Sequence, residues 1–462
     1  MTAPSTPVTT RPEFTAALAA DLAGLTAAAL PAAALERARQ GVLDWLAVTL
    51  AGSRQPGALI AQKLAAANQA RPAATLAGTS VRSVPGDAAL ANGLAAHALD
   101  FDDSNVWAQA HTSASVLAAA LALAEDLEAP GAELVAAYVA GVQAASVVGL
   151  ATGPGADARG FHLTGLTGTF GAAAACGKLL GLDADGLARA LSLAATQSAG
   201  LKAVFGTMGK HLNAARAAVD GLLAAQLVER GFTAPAEAVT GQAGYATAFT
   251  GTFDPARALD QLRGRYGVED LVFKQHACCH GAHSAINGIA SLRARRPFRP
   301  DEVERVVLTI PPVLRQICLV DWPRTGLEGK FSLRYVAALA VTGRGTGPAA
   351  FTETRISDPE LAMVMDRVEL VDGAATLPAR APTEARVELS SGERLTACLR
   401  AVDPAADDEL AAQRRWLTDK FTMLAVPVLG EARSAELAHA AGRVDQLTSI
   451  ADLMALTRPP ER

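Results

Sequence analysis

The stretch 35-LERARQGVLDWLAVTL-50 reads as one amphipathic helix and sets the character of the chain. Leu35, Ala38, Val42, Trp45 and Leu46 fall on one face at helical spacing, and Gly52 ends the run. The same alanine, leucine and valine vocabulary extends from Phe14 to about Val228, punctuated by Gly, Pro, Asp and Ser. Thr112 or Ser113 is placed to cap a helix running to about Glu125, and Pro130 opens the next. Residues 170–180 and 187–199 read as two more buried helices, separated by the turn Gly181-Leu-Asp183.

The text changes after about residue 270. Residues 303–310 and 386–389 are β-branched or alternating, and Ser390-Ser-Gly392-Glu reads as a turn into residues 395–399, together a hairpin. Residues 367–371 offer another strand, and helical pattern returns from Asp408 onward, clearest over 435–456. The expectation is a mainly α protein. A large helical domain built from residues 1–270 and 401–462 would be interrupted by a smaller α+β lid domain at 271–400.

Composition narrows the class. At 462 residues the chain exceeds what one core usually serves. With 50% hydrophobic and only 5% aromatic residues, the core is built from small aliphatic side chains, which favours closely packed helices. The net charge of −5 is spread without a long basic run, so no footprint for nucleic acid or an anionic membrane surface is expected. Apolar runs such as 114–124 are broken by charge before bilayer length, and residues 1–11 are rich in Thr and Pro with no apolar signal segment. Cys176, Cys278, Cys279, Cys318 and Cys398 are too few and too irregular for a disulfide framework, and a cytoplasmic location is expected.

Four constellations bear on chemistry. The run His97-Ala-Leu-Asp100-Phe-Asp102-Asp103-Ser104, followed by His111, sets three carboxylates and a hydroxyl between two imidazoles. Such neighbours shift each other's proton affinities, although a solvated capping loop has the same composition. In Lys274-Gln-His276-Ala-Cys278-Cys279-His280-Gly-Ala-His283, thiols and imidazoles suit zinc. The chain lacks a second Cys/His pair of the usual spacing, which leaves packed cysteines or an anion-binding loop as the alternatives. The glycines of Arg159-Gly-Phe161-His162-Leu-Thr164-Gly165-Leu-Thr-Gly168-Thr-Phe-Gly171 match neither a P-loop nor a dinucleotide fingerprint. They suit close helix approach, with His162 at the helix entrance, a pole that attracts anions. Finally, Gly206-Thr207-Met208-Gly209-Lys210-His211 offers either a solvated lysine or an enclosed anion clamp, and Tyr335 a phenol that either packs or donates a proton.

Taken in order, these motifs resemble the MmgE/PrpD family. The matching text is His97 to Asp103, His111, Gly160-Phe-His162 with Gly165, Gly168, Phe170 and Gly171, then Lys178 to Asp183 and Met208-Gly-Lys210. It continues with Lys274 to Cys279, His283, and Phe331-Ser-Leu-Arg-Tyr335. Family members include dehydratases, decarboxylases and epimerases of polycarboxylates such as 2-methylcitrate, cis-aconitate and iminodisuccinate. The resemblance implies a homodimer with an active site between helical domain and lid, needing no metal and no organic cofactor. It implies that Asp100, Ser104, His111, His162, Lys210, Lys274 and Tyr335 line the pocket, and His283 is added as a substrate-binding candidate. The chain departs from the family pattern at Ser104, Thr112 and Asn213, where relatives often carry Thr, Pro and His.

The leading expectation is a hydro-lyase (dehydratase) acting on a hydroxy di- or tricarboxylate. Lys210, Lys274 and His111 would hold carboxylates and spread developing charge. His162 or Asp100 would act as base, and Tyr335 or a protonated histidine as acid. Decarboxylation of a cis-aconitate-like acid and epimerisation of an iminodisuccinate-like acid use the same groups. A carboxylate-binding scaffold is the non-enzymatic alternative.

Overall fold

The computed structural model describes residues 14–374, 381–400 and 403–460; residues 1–11, read above as carrying no signal, lie outside them. In chain order the helices begin with α1 (Phe14–Gly24), α2 (Ala32–Gly52), α3 (Pro56–Ala67), α4 (Pro85–Ala98), α5 (Thr112–Asp126) and α6 (Gly131–Thr152). They continue with the short α7 (Pro154–Ala158), then α8 (Leu163–Leu179), α9 (Ala184–Gln197), α10 (Gly209–Glu229) and α11 (Pro255–Leu262). The helix read over residues 35–50 is α2, extended by about a turn at its N-terminal end, where Pro31 occupies the cap. Asp183, in the turn read from sequence, caps α9 by accepting from Gly186 N at 2.7 Å. Neither Thr112 nor Ser113 is the cap of α5. That position belongs to His111, and the capping carboxylate comes from Asp103, which accepts from Ser113 N at 3.4 Å.

α8 lies at the centre, packed by α5, α6, α9 and α10. Its glycines serve close approach, as their spacing suggested. A Cβ at Gly171 would lie 2.8 Å from the Gly141 carbonyl oxygen on α6, and one at Gly141 would lie 2.7 Å from that of Gly171. α6 is long and apolar enough to cross a membrane, but nearly all of it is buried inside this bundle.

The second half contributes α12 (His283–Arg295), α13 (Leu333–Thr342) and a four-stranded sheet. Its strands are β1 (Val303–Ile310), β2 (Val368–Asp372), β3 (Thr383–Leu389) and β4 (Arg394–Leu399), in the spatial order β2-β1-β3-β4. β1 and β2 are parallel and the other pairs antiparallel. The β3–β4 hairpin closes on Gly392 at φ +85°, the turn read from sequence. α12 covers β3 and β4 and packs on α13. The chain then returns as α14 (Leu410–Leu429), which lies along α2, followed by α15 (Glu431–Ala441) and α16 (Ile450–Leu456). The continuous pattern read over 435–456 is thus broken: Gly442 ends one helix and Ser449 caps the next through Ala451 N. The mainly α class stands.

Two short antiparallel segments matter for the site. Ser104–Asn105 pairs with Leu271–Val272, Ser104 facing Val272, so the loop after α4 and the strand leading to Lys274 are stitched together.

Close helix packing gives a stability prediction. A Cβ at Gly221 of α10 would lie 2.5 Å from Ala172 Cβ and 2.6 Å from Thr169 O on α8. An unhindered Gly→Ala change in a helix gains up to about 1 kcal/mol, whereas forced overpacking costs about 1–3 kcal/mol. Gly221→Ala is expected to lower the urea unfolding midpoint, while Gly86→Ala, with open space around it, leaves it unchanged or raises it.

Candidate active site

α4 ends at His97 and Ala98, and the chain turns sharply at Asp100, whose φ is +49°. A non-glycine residue in this region costs on the order of 1–2 kcal/mol and persists where its surroundings over-determine it. Here they do. Lys330 Nζ donates to Leu99 O at 2.7 Å, Lys274 Nζ to Asp100 O at 3.0 Å and Lys420 Nζ to Phe101 O at 2.7 Å, so three successive carbonyls are each held by a different buried lysine.

The Asp100 carboxylate is clamped through one oxygen. Oδ1 accepts from Lys210 Nζ and from Lys274 Nζ, both at 2.8 Å, while Oδ2 is buried without a partner among the described residues. Burial opposes the charge, but Lys210 and Lys274 overcome it and hold the Asp100 carboxyl well below the usual carboxylate range. Reciprocally, burial depresses Lys274 while Asp100 and Asp102 more than restore it. Lys210 reaches on to His97 Nε2 at 2.8 Å, and His97 Nδ1 lies 2.8 Å from Asp102 Oδ2. Asp102, His97, Lys210, Asp100 and Lys274 thus form one continuous buried chain.

Histidines line one side of it. The His97 ring centroid is 4.8 Å from His111, 6.0 Å from His162 and 5.9 Å from His211. Burial first, then the nearby lysines, push His97, His111 and His162 well below 6.5, so these imidazoles are neutral at neutral pH. His211 is pushed down to about 4 for the same reasons. His162 sits at the entrance of α8, as its sequence position implied, beneath the Phe205 ring. Below the loop, burial raises Asp103 to about 7, against the hydrogen bonds from Ser113, whose hydroxyl also meets Tyr138 Oη at 2.6 Å.

The structure therefore brings together Asp100, His111, His162, Lys210 and Lys274, with Ser104 Oγ 3.5 Å from His111 Nδ1 at the rim. Lys210 is buried in the first turn of α10, which removes the solvated alternative. Tyr335 is not part of this cluster. Its hydroxyl donates to Ala350 O at 2.6 Å, its ring packs on Phe351, and the charges it feels are those of Arg355, Asp358 and Arg344. His283 stands apart from the imidazole row, its ring against His276 and His280 and its Nε2 3.4 Å from Cys278 O. Cys278 and Cys279 are buried free thiols. Among the described residues the grouping that resembles a metal site is His97, Asp102 and His111, with ligand atoms within 4.8 Å of one another. His97 Nε2 already accepts from the Lys210 ammonium, and that cation beside Lys274 disfavours another.

Sequence reasoning does not reach His97, Asp102, Lys330 or Lys420 as site residues. His97 and Asp102 were adjacent in the text to chosen residues, and Lys330 precedes the Phe331-Ser motif. Lys420 carries no sequence signal, because a lysine in a helix with a polar face reads as solvated; here it pairs with Asp44 at 2.7 Å inside the core.

Comparison with known proteins places the chain among relatives. Human cis-aconitate decarboxylase is 28% identical over 380 residues, covering 79% of this chain and 78% of its own. The cis-aconitate decarboxylase of Aspergillus terreus is 26% identical over 473 residues, 93% of each chain. The cis-aconitate decarboxylase-like protein oryM of Aspergillus oryzae is 30% identical over 336 residues, 67% of this chain and 69% of its own. Residues 16–258 match the MmgE/PrpD N-terminal domain and residues 276–446 the MmgE/PrpD C-terminal domain. With both domains matched in order, the one contributing Asp100 and Lys210 and the other following directly on Lys274, the chain belongs to the MmgE/PrpD family.

Proposed function

We propose that this protein is a lyase that decarboxylates a cis-aconitate-like tricarboxylate, using its own side chains for proton transfer. The observation that carries the reading is the pair of buried ammonium groups, Lys210 and Lys274, converging on Asp100 beside a row of neutral imidazoles. Cations fixed in a dry site stabilise carboxylates and the enolate-like charge that develops as a carbon–carbon bond breaks. The names of the relatives favour decarboxylation over the dehydration expected from sequence, and both reactions draw on the same groups.

The chemistry balances with one proton. The bond from the methylene carbon to its carboxylate breaks and CO₂ leaves. The electron pair forms a new double bond to the central carbon, and the pair of the old double bond moves to the former alkene carbon that bears the other terminal carboxylate, which takes a proton. Asp100, its proton affinity lowered by two lysines, is a weak base and serves to hold those lysines in register. Proton delivery falls to an imidazole. A polyanion seated beside neutral imidazoles raises their proton affinity, so binding itself loads the acid.

Two outcomes test this. Incubation with cis-aconitate in D₂O, followed by NMR, is expected to show loss of one carboxylate and deuterium at the protonated carbon. Lys210→Ala and Lys274→Ala should lower turnover by about 10²-fold or more, with unchanged circular dichroism. Full activity in either variant, or no CO₂ from the wild type, defeats the reading. Proton uptake gives the pH dependence. Below 7 an imidazole with a depressed value is still neutral in the free protein but protonated in the complex, so affinity falls as pH rises, by at most about tenfold per pH unit for each proton taken up. Calorimetry at one pH in buffers of different ionisation enthalpy should register net uptake; net release would contradict the scheme.

A further inference from the structure

We infer that the two histidines flanking the clamp are held in opposite tautomers, and that Asn213 is the positioning residue that keeps His162 a neutral hydrogen-bond donor and leaves His111 as the proton carrier. The inference rests on the decarboxylase reading only for its kinetic arm. It follows from what each Nδ1 faces. His111 Nδ1 lies 2.7 Å from Asp103 O. A carbonyl oxygen only accepts, so this nitrogen carries the hydrogen and Nε2 presents a lone pair. Protonation at Nε2 completes an imidazolium without disturbing the bond to Asp103.

His162 faces the reverse. Its Nδ1 lies 3.1 Å from the amide nitrogen of Asn213, and the same nitrogen donates to Leu201 O at 3.2 Å. The Leu201 carbonyl fixes the amide orientation, since a flipped amide would set two acceptor oxygens against each other. The second amide hydrogen therefore points at Nδ1, which accepts, and the ring hydrogen sits on Nε2. Adding a proton to Nδ1 would oppose two N–H groups, so His162 resists becoming imidazolium. A neutral imidazole of this kind donates a hydrogen bond to a carbonyl or carboxylate without surrendering its proton.

Position in the fold supports the division. Asn213 lies three residues after Lys210 on the same face of α10, so one helix sets both the clamp and the tautomer. Among the described residues neither His111 Nε2 nor His162 Nε2 has a hydrogen-bond partner, which leaves both for substrate. The charges facing His162 are Lys210, Lys202 and Asp100, with His97; those facing His111 are Lys274, Lys210 and Asp102, again with His97.

The test combines spectroscopy and kinetics on the full chain. The protein has 8 histidines, and selective ¹⁵N-histidine labelling with His111→Gln and His162→Gln for assignment resolves the two rings. The wild type is expected to show His111 protonated at Nδ1 and His162 at Nε2. Asn213→Asp supplies an acceptor, so His162 should move its hydrogen to Nδ1, and its Nε2 should titrate at higher pH than in the wild type. With cis-aconitate, this variant should lose at least about tenfold in kcat, part of the ~10²–10⁴-fold that a positioned proton-transfer group contributes, and its pH profile should gain a second titrating group. Asn213→Leu removes the bias without reversing it and should lose less; a merely structural role would make Leu at least as damaging as Asp. Wild-type His162 protonated at Nδ1, or an unchanged His162 tautomer in Asn213→Asp, overturns the inference whatever the activity. The assigned tautomers without activity on any tricarboxylate would overturn the decarboxylase reading and leave the tautomer assignment standing.

Discussion

The Asp100 carboxylate held between two lysine ammonium groups is the interaction on which the site depends. A buried carboxylate without partners is too costly to retain, and a buried lysine equally so. Each makes the other tolerable, and the pair fixes where α10 and the segment after residue 271 must lie relative to the end of α4. The left-handed turn at Asp100 is the geometric expression of that constraint. Were the residue in ordinary helical conformation, its carboxylate would continue along α4 instead of reaching back to Lys210 and Lys274.

The same constraint explains why the neighbourhood is built as a row of neutral imidazoles. Burial penalises positive charge here and lysines so close penalise it again, which leaves His97, His111 and His162 unprotonated. The site is consequently poised to respond to an anion, whose arrival offsets the lysine field and makes protonation favourable. In the proposed reaction, recognition of a polycarboxylate and loading of the acid then become one event.

Much of this was legible from the sequence, for identifiable reasons. The helices were legible because an alanine-rich core demands small residues at helical spacing, as in α2 and α8, and the β3–β4 hairpin because its turn requires a glycine at positive φ. Asp100, Lys210 and Lys274 stood out as charges in apolar text. Local patterns fail where the decisive contact is distant in the chain. Lys420 touches Asp44 and Phe101, which lie hundreds of residues away, and nothing near Lys420 announces burial. Tyr335 shows the converse: the family motif carries it, but its hydroxyl is committed to Ala350 O. The cap of α5 was misplaced because Asp103 reaches it from beyond the residues next to the helix, a route sequence adjacency does not display.

The four buried lysines around the Asp100 loop differ in what they hold. An ammonium has three N–H groups. Lys420 donates to Phe101 O and Lys274 O and pairs with Asp44 at 2.7 Å. Lys330 spends two on Leu99 O and Ala277 O, and its ammonium lies 4.5 Å from the centre of the Phe351 ring. Lys210 spends two, on His97 and Asp100, and Lys274 spends two, both on Asp100. Lys210, Lys274 and Lys330 thus each keep one unspent hydrogen, and two of these three grip the carboxylate. A charge-assisted hydrogen bond is roughly twice as strong as a neutral one, so a substrate carboxylate that accepts from Lys210 and Lys274 completes their coordination. Lys420 and Lys330 hold the backbone on which Asp100 is mounted, through Phe101 O and Leu99 O.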